Sequence, residues 1–225
     1  RSTGKWWRPK NYTGSFRGPV PLSEAFARSL NNPTIRLVEE VGVDRVIDFA
    51  RRAGIRSKLS RDLALGLGTN EVTLLELTSA YGTFARGGRA RDPRIVRRVV
   101  DADEKVLLEN LEVADLPPRT TRKRIASVDA YLTTWLMKEA VRAWYGTGHG
   151  AARLGPGVAG KTGSTNENRD AWFLGFTPDL VTGVWVGHDD RTPMAKHRTG
   201  AGAALPIWTA FMEQALDGEK PRDFP

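Results

Sequence analysis

The chain contains no cysteine. That excludes disulfides, thiolate zinc sites and a cysteine nucleophile together. It suits an oxidising compartment, where stray thiols are a liability. Long apolar runs are missing too: none approaches the ~18 residues that a membrane-spanning helix needs, and no signal-peptide pattern opens the chain. Histidine is scarce. His149, His188 and His197 are too scattered for metal-ligand spacing. Asp189 and Asp190 are adjacent, so on a strand end they point to opposite faces. No metal and no cofactor is expected.

What remains is an ordinary globular composition, with 225 residues, 40% hydrophobic and 27% charged. The formal charge is +8, from 34 Lys and Arg against 26 acids. The basic residues are scattered, as at Arg51–Arg52, Arg97–Arg98 and Arg122–Lys123–Arg124, and read as a solvated surface. No helix-turn-helix, zinc-finger or RNP pattern accompanies them, so nucleic acid is not an expected partner.

Residues 1–20 are rich in Gly, Pro and aromatics and read as an irregular ordered lead-in. Helices are predicted over 22–29, 33–41 and 44–53. The break between the first two is placed before Pro33, because proline disfavours helical geometry in the residue preceding it. Thr73 and Glu76 form a capping-box pattern, ahead of Leu74, Leu77, Tyr81 and Phe84 on one helical face. Residues 94–101 and 105–109 read as a strand pair around Ala102–Glu104, and Leu116–Pro117–Pro118 as a loop. The longest helical pattern spans 127–144, with Val128, Leu132, Trp135, Leu136 and Ala140 on one side. Gly146, Gly148 and Gly150 then predict a flexible turn. Residues 158–163, 171–176 and 180–187 are rich in β-formers and predict adjacent antiparallel strands. A last helix is predicted over 205–216, with Trp208, Met212 and Ala215 on one face. The organisation is thus a lead-in (1–20), a mainly helical part with a strand pair (21–150), and sheet strands plus a C-terminal helix (151–225). The expected fold class is α/β (α+β), an antiparallel sheet flanked by helices.

The sharpest chemical feature is Lys161–Thr162–Gly163–Ser164. An ammonium and a hydroxyl can hold an anion, and a glycine lets a substrate backbone approach a strand edge. Alone, Lys-Thr-Gly is a common tripeptide. Upstream, Ser29–Leu30–Asn31 lies where a helix ends: a serine can relay a proton and an asparagine can pair with an amide. Singly, both residues also suit turns. Together, in this order, they are two of the three signature elements of penicillin-recognising serine enzymes.

The chain resembles the C-terminal part of the transpeptidase domain of class A penicillin-binding proteins. The resemblance is carried by Trp7–Arg8–Pro9–Lys10–Asn11–Tyr12, Ala27 through Asn32, Leu65–Gly66–Leu67–Gly68 and Ala80–Tyr81–Gly82–Thr83–Phe84–Ala85. It continues through Gly146–Thr147–Gly148, Ala159 through Gly163, Asp170–Ala171–Trp172–Phe173–Leu174–Gly175 and Val184–Trp185–Val186–Gly187. It implies a serine acyl-transfer enzyme that cross-links peptidoglycan stem peptides ending in D-Ala-D-Ala and is trapped by β-lactam antibiotics. By this similarity Ser29 shuttles a proton and Asn31 orients the substrate amide. Lys161 and Thr162 meet the substrate carboxylate, Gly163, Ser164 and Thr165 belong to the substrate-binding strand, and the Ser164 N–H supplies half an oxyanion hole. Ser164 stands where the family more often has Thr, which keeps both the hydroxyl and the N–H.

The family's nucleophile motif, Ser-x-x-Lys opening a helix, should precede the Trp-Arg-Pro string. Ser2–Thr3–Gly4–Lys5 matches it literally, but Gly4, Trp6, Trp7 and Pro9 make a poor helix. The nucleophile is therefore expected outside this sequence, and the chain alone is expected to be inactive. The resemblance also implies a periplasmic domain, held to the cytoplasmic membrane by an N-terminal anchor, preceded by a glycosyltransferase domain and working with other cell-wall synthesis proteins. The competing readings are a serine β-lactamase and a non-catalytic peptidoglycan- or partner-binding pseudoenzyme. Asp170, beside Arg169, reads as a local hydrogen-bond partner.

Overall fold

A computed structural model describes residues 9–12, 14–109 and 125–224. Ser2–Lys5, Trp6, Trp7, Leu116–Pro118 and Arg122–Arg124 lie outside the described residues. The helices are α1 (Leu22–Ala27), α2 (Asn31–Val41), α3 (Val43–Ala53), α4 (Leu74–Ala85), α5 (Ser127–Arg142) and α6 (Leu205–Ala215). The strands are β1 (Arg98–Val100), β2 (Val106–Glu109), β3 (Ala159–Ser164), β4 (Asp170–Phe176) and β5 (Val181–Gly187). β1 and β2 pair as a hairpin, and β3, β4 and β5 form an antiparallel sheet in that order. Helices flank the sheet, as the residue pattern predicts.

The sheet is positioned by an aromatic core. Phe173 and Trp208 are fully buried and meet edge-on, with centroids 4.9 Å apart. Glycine makes room for them. A Cβ on Gly160 would lie 2.7 Å from Phe173, and one on Gly175 would lie 2.7 Å from Trp208. Met212 completes the α6 face, whereas Ala215, expected beside it, is exposed.

Three expectations are corrected. The face of α5 that packs inward carries Ala130, Thr134, Met137, Ala140 and Val141. Val128, Leu132 and Trp135 are exposed instead. This face is set by what α5 packs against: Met137 clusters with Ala159 of β3 and Phe176 of β4, and Ala130 with Ala53, Ile55 and Ala80. The predicted strand over 94–101 shrinks to β1. Its hairpin is irregular at Val99/Val100 and closes through the Asp101 carboxylate, which accepts from the N–H groups of Asp103 (3.0 Å) and Lys105 (2.9 Å). The glycines after α5 make a packed turn, not a flexible one: a Cβ on Gly146 would sit 2.2 Å from the Ala140 carbonyl oxygen.

The capping pattern holds: the Glu76 N–H donates to Thr73 Oγ1 (3.2 Å), and the Glu76 carboxylate turns back to the Thr73 N–H. The Glu76 carboxylate also reaches the Ser57 hydroxyl (2.5 Å) and the Arg56 and Ser57 N–H groups. Burial pushes its pKa up, but these bonds and one from the Thr73 N–H outweigh it and hold the carboxyl below its usual range.

Candidate active site

Ser29 sits in a Schellman turn at the end of α1. Its N–H donates to the Phe26 carbonyl (3.0 Å), and the Leu30 N–H donates to Ala25 (2.9 Å). That motif needs a left-handed residue, usually glycine, and Ser29 takes the place with φ +55°. A side chain here costs roughly 1 kcal/mol relative to glycine. The turn lifts the exposed Ser29 hydroxyl toward the sheet.

The next helix starts earlier than Pro33 suggests. α2 begins at Asn31, so Asn32, the residue before the proline, is already in its first turn. No side chain of its own N-cap residue supports this start. Asn11, which is buried, does so from the lead-in. Its Oδ1 accepts from the N–H groups of Asn31 (3.0 Å) and Asn32 (3.3 Å), while its Nδ2 donates to the Ser15 carbonyl (2.8 Å). A borrowed cap thus satisfies donors that every helix start leaves orphaned. Asn31 returns the contact, donating from Nδ2 to the Lys10 carbonyl (2.8 Å) and so fixing the plane of its own carboxamide.

Lys161 comes from β3. Its Nζ donates to Ser29 Oγ (2.8 Å) and to the Thr162 carbonyl (3.1 Å), and lies 5.8 Å from the Phe26 ring centroid. Burial pushes its pKa down to about 8. The ammonium is therefore still mostly protonated at neutral pH, but only loosely held by water.

β3 is the edge of its sheet, and among the described residues no strand pairs with its outer side. The Thr165 N–H donates inward to Asp170 (3.1 Å). Antiparallel ladders alternate, so the Ser164 N–H faces the open edge. The Ser164 hydroxyl accepts from the Gly200 N–H (2.9 Å). Thr162 Oγ1 and Thr147 Oγ1 share a hydrogen bond of 2.6 Å.

The structure therefore brings Ser29, Asn31, Lys161, Thr162, Gly163 and Ser164 to one place, at the junction of the α1–α2 turn and the β3 edge. Thr165 stands apart: its hydroxyl accepts from the Asp170 N–H (2.8 Å) and closes the β3–β4 turn. Asp170 is a structural partner, but of the Trp185 indole N–H (2.8 Å), not of Arg169, which goes to Glu167 and the Arg191 carbonyl. Asn11 and Thr147 carry no chemical motif of their own in the sequence. Both lay inside strings that carried the resemblance, and that was their only signal.

A lysine and a threonine on a free strand edge, with a serine–asparagine turn against them, are the arrangement that the resemblance to penicillin-recognising serine enzymes implies. Residues 1–213 match the family described as the penicillin binding protein transpeptidase domain, and the chain belongs to that family. It is 37% identical over 221 residues to penicillin-binding protein 1A of Neisseria gonorrhoeae, covering 96% of this chain and 27% of that protein. The class A resemblance seen in the sequence is thereby borne out. The chain spans only about a quarter of the length of such curated relatives. Its fold is similar to penicillin-binding protein 1A from Haemophilus influenzae, with TM-score 0.89 and 28% identity over 100% of this chain and 38% of that one. It is also similar to PonA1 of Mycobacterium tuberculosis, solved in complex with penicillin V, with TM-score 0.81 and 30% identity over 96% of this chain and 61% of that one.

Proposed function

We propose that these residues form two of the three arms of a D,D-transpeptidase site, and that a serine outside them is the nucleophile. The observation that carries this reading is the Lys161–Ser29 hydrogen bond (2.8 Å), which joins the two motifs. In the proposed reaction the serine oxygen bonds to the carbonyl carbon of the penultimate D-alanine. The peptide C–N bond breaks, and terminal D-alanine leaves with the proton. An amine of a second stem peptide then attacks the ester and releases the serine. Ser29 relays the proton, and Asn31 holds the substrate amide. Lys161 and Thr162 hold the terminal carboxylate, and the Ser164 N–H faces the developing oxyanion.

β-Lactams present a carboxylate beside a strained amide and occupy the same groups. Among the described residues no helix is long and apolar enough to cross a membrane. The reading assigns membrane anchorage, a glycosyltransferase domain, periplasmic placement and contact with cell-wall synthesis proteins to the full-length protein.

The test is intact-mass spectrometry after incubation with a penicillin. The full-length protein gains one penicillin mass, and this chain alone gains none. A labelled chain would overturn the placement of the nucleophile; an unlabelled, folded full-length protein would overturn the transpeptidase reading.

A further inference from the structure

The Gly146–Thr147–Gly148 turn contributes no group to the reaction described above, yet it touches both arms of the site. The Thr147 N–H donates to the Ala27 carbonyl (3.0 Å), two residues before Ser29. Its hydroxyl meets Thr162 Oγ1 at 2.6 Å, next to Lys161. The turn cannot drift. The Gly148 N–H donates to the Ala140 carbonyl (3.0 Å), and a Cβ on either glycine would press on that same oxygen, at 2.2 Å from position 146 and 3.2 Å from position 148. Arg28 braces the other side, paired with Glu24 (2.8 Å) and stacked 4.1 Å from the Tyr145 ring centroid.

Each threonine hydroxyl has one proton and two lone pairs. The two share one hydrogen bond, and either can supply its proton. A substrate carboxylate only accepts, so to bind it Thr162 must turn its proton outward. Its oxygen then needs a donor behind it, and the group in reach is the Thr147 hydroxyl. A chain of two hydroxyls pointing the same way polarises both bonds and strengthens the outer one.

We propose that Thr147 is a positioning residue for carboxylate recognition: its hydroxyl donates to Thr162 Oγ1 when a carboxylate is bound, and so makes Thr162 a donor toward the ligand. The proposal rests on the transpeptidase reading of the site and deepens it. A valine at position 147 keeps the shape and the backbone N–H but cannot donate. A serine keeps the hydroxyl. Losing one neutral hydrogen bond of this kind is worth about a fivefold change.

The experiment measures acylation of the full-length protein by benzylpenicillin and by its methyl ester, which lacks the carboxylate charge. It compares the unsubstituted protein with Thr147→Val and Thr147→Ser. The expected result is an about fivefold fall in the penicillin-to-ester rate ratio for Thr147→Val, with the ratio restored in Thr147→Ser. An unchanged ratio, whether both rates fall together or neither falls, would overturn the proposal, as would a failure of serine to restore it. If the unsubstituted protein takes neither compound, the transpeptidase reading fails on its own. The hydroxyl pair is then decided by thermal unfolding in acetate against chloride. A larger rise in Tm for the unsubstituted and serine forms than for the valine form supports it, and equal rises or none overturn it.

Discussion

Lys161 Nζ and Ser29 Oγ, 132 positions apart in the chain, are joined by a hydrogen bond of 2.8 Å. The bond links an edge strand to a helix-ending turn, and the chemistry assigned to the site depends on both ends staying where they are.

The first prediction concerns pH. Burial lowers the Lys161 pKa from 10.5 to about 8. Below pH 8 the group is charged and, in the proposed site, can hold a carboxylate; above it the charge is lost. Acylation of the full-length protein by penicillin should therefore fall as pH rises through about 8. The sign for stability is opposite. The unfolded chain binds this proton up to about 10.5, so between pH 8 and 10.5 the unfolded state carries more protons and stability rises with pH. A pH–rate profile and denaturation at pH 7.5 and 9.5 check the two signs separately, the second after comparison with Lys161→Met.

Ser29 separates stability from activity. Its left-handed backbone suits glycine better than serine. Ser29→Gly should leave folding unchanged or stabilise it by about 1 kcal/mol. It should also slow acylation by about a hundredfold or more, because the proton relay is gone. Thermal melting and acylation kinetics on the same sample read both effects.

Asn11 should behave as a helix cap placed at a distance. Asn11→Ala leaves the Asn31 and Asn32 N–H groups without their acceptor and should cost about 1–2 kcal/mol in chemical denaturation. Asn11→Asp keeps the acceptor and places charge near a helix N-terminus. It loses only the donation to Ser15, so it should recover most of the difference.

Gly160 is held to glycine by its neighbours. A Cβ there would sit 2.7 Å from Phe173 Cζ and 3.0 Å from the Leu174 carbonyl oxygen. Gly160→Ala should destabilise the domain by about 1–3 kcal/mol through overpacking. It should also slow acylation, because the strand that shifts carries Lys161.

The sheet was legible because short β-forming runs are separated by a turn whose chemistry is local: Thr177 Oγ1 accepts from the Leu180 N–H (3.1 Å) between β4 and β5. The Ser29–Asn31 and Lys161–Ser164 motifs were legible as strings, and their meeting followed from the family they resemble. What was not legible depends on distant partners. The α5 periodicity pointed to Val128, Leu132 and Trp135, but the clusters that take in Ala130 and Met137 lie on the other face, and only the packing shows that. The proline rule put the start of α2 at Pro33, because nothing local reveals a cap supplied by Asn11. Beyond the string that carries the resemblance, nothing in the sequence points to Thr147, since its partner Thr162 is fifteen positions away on another element.

The most direct measurement is peptide mapping of the full-length protein after penicillin labelling, to identify the residue that carries the drug. The account predicts a single serine outside residues 1–225, with Ser29 unmodified. A penicilloyl group on Ser29, or on any other residue of this chain, would contradict it.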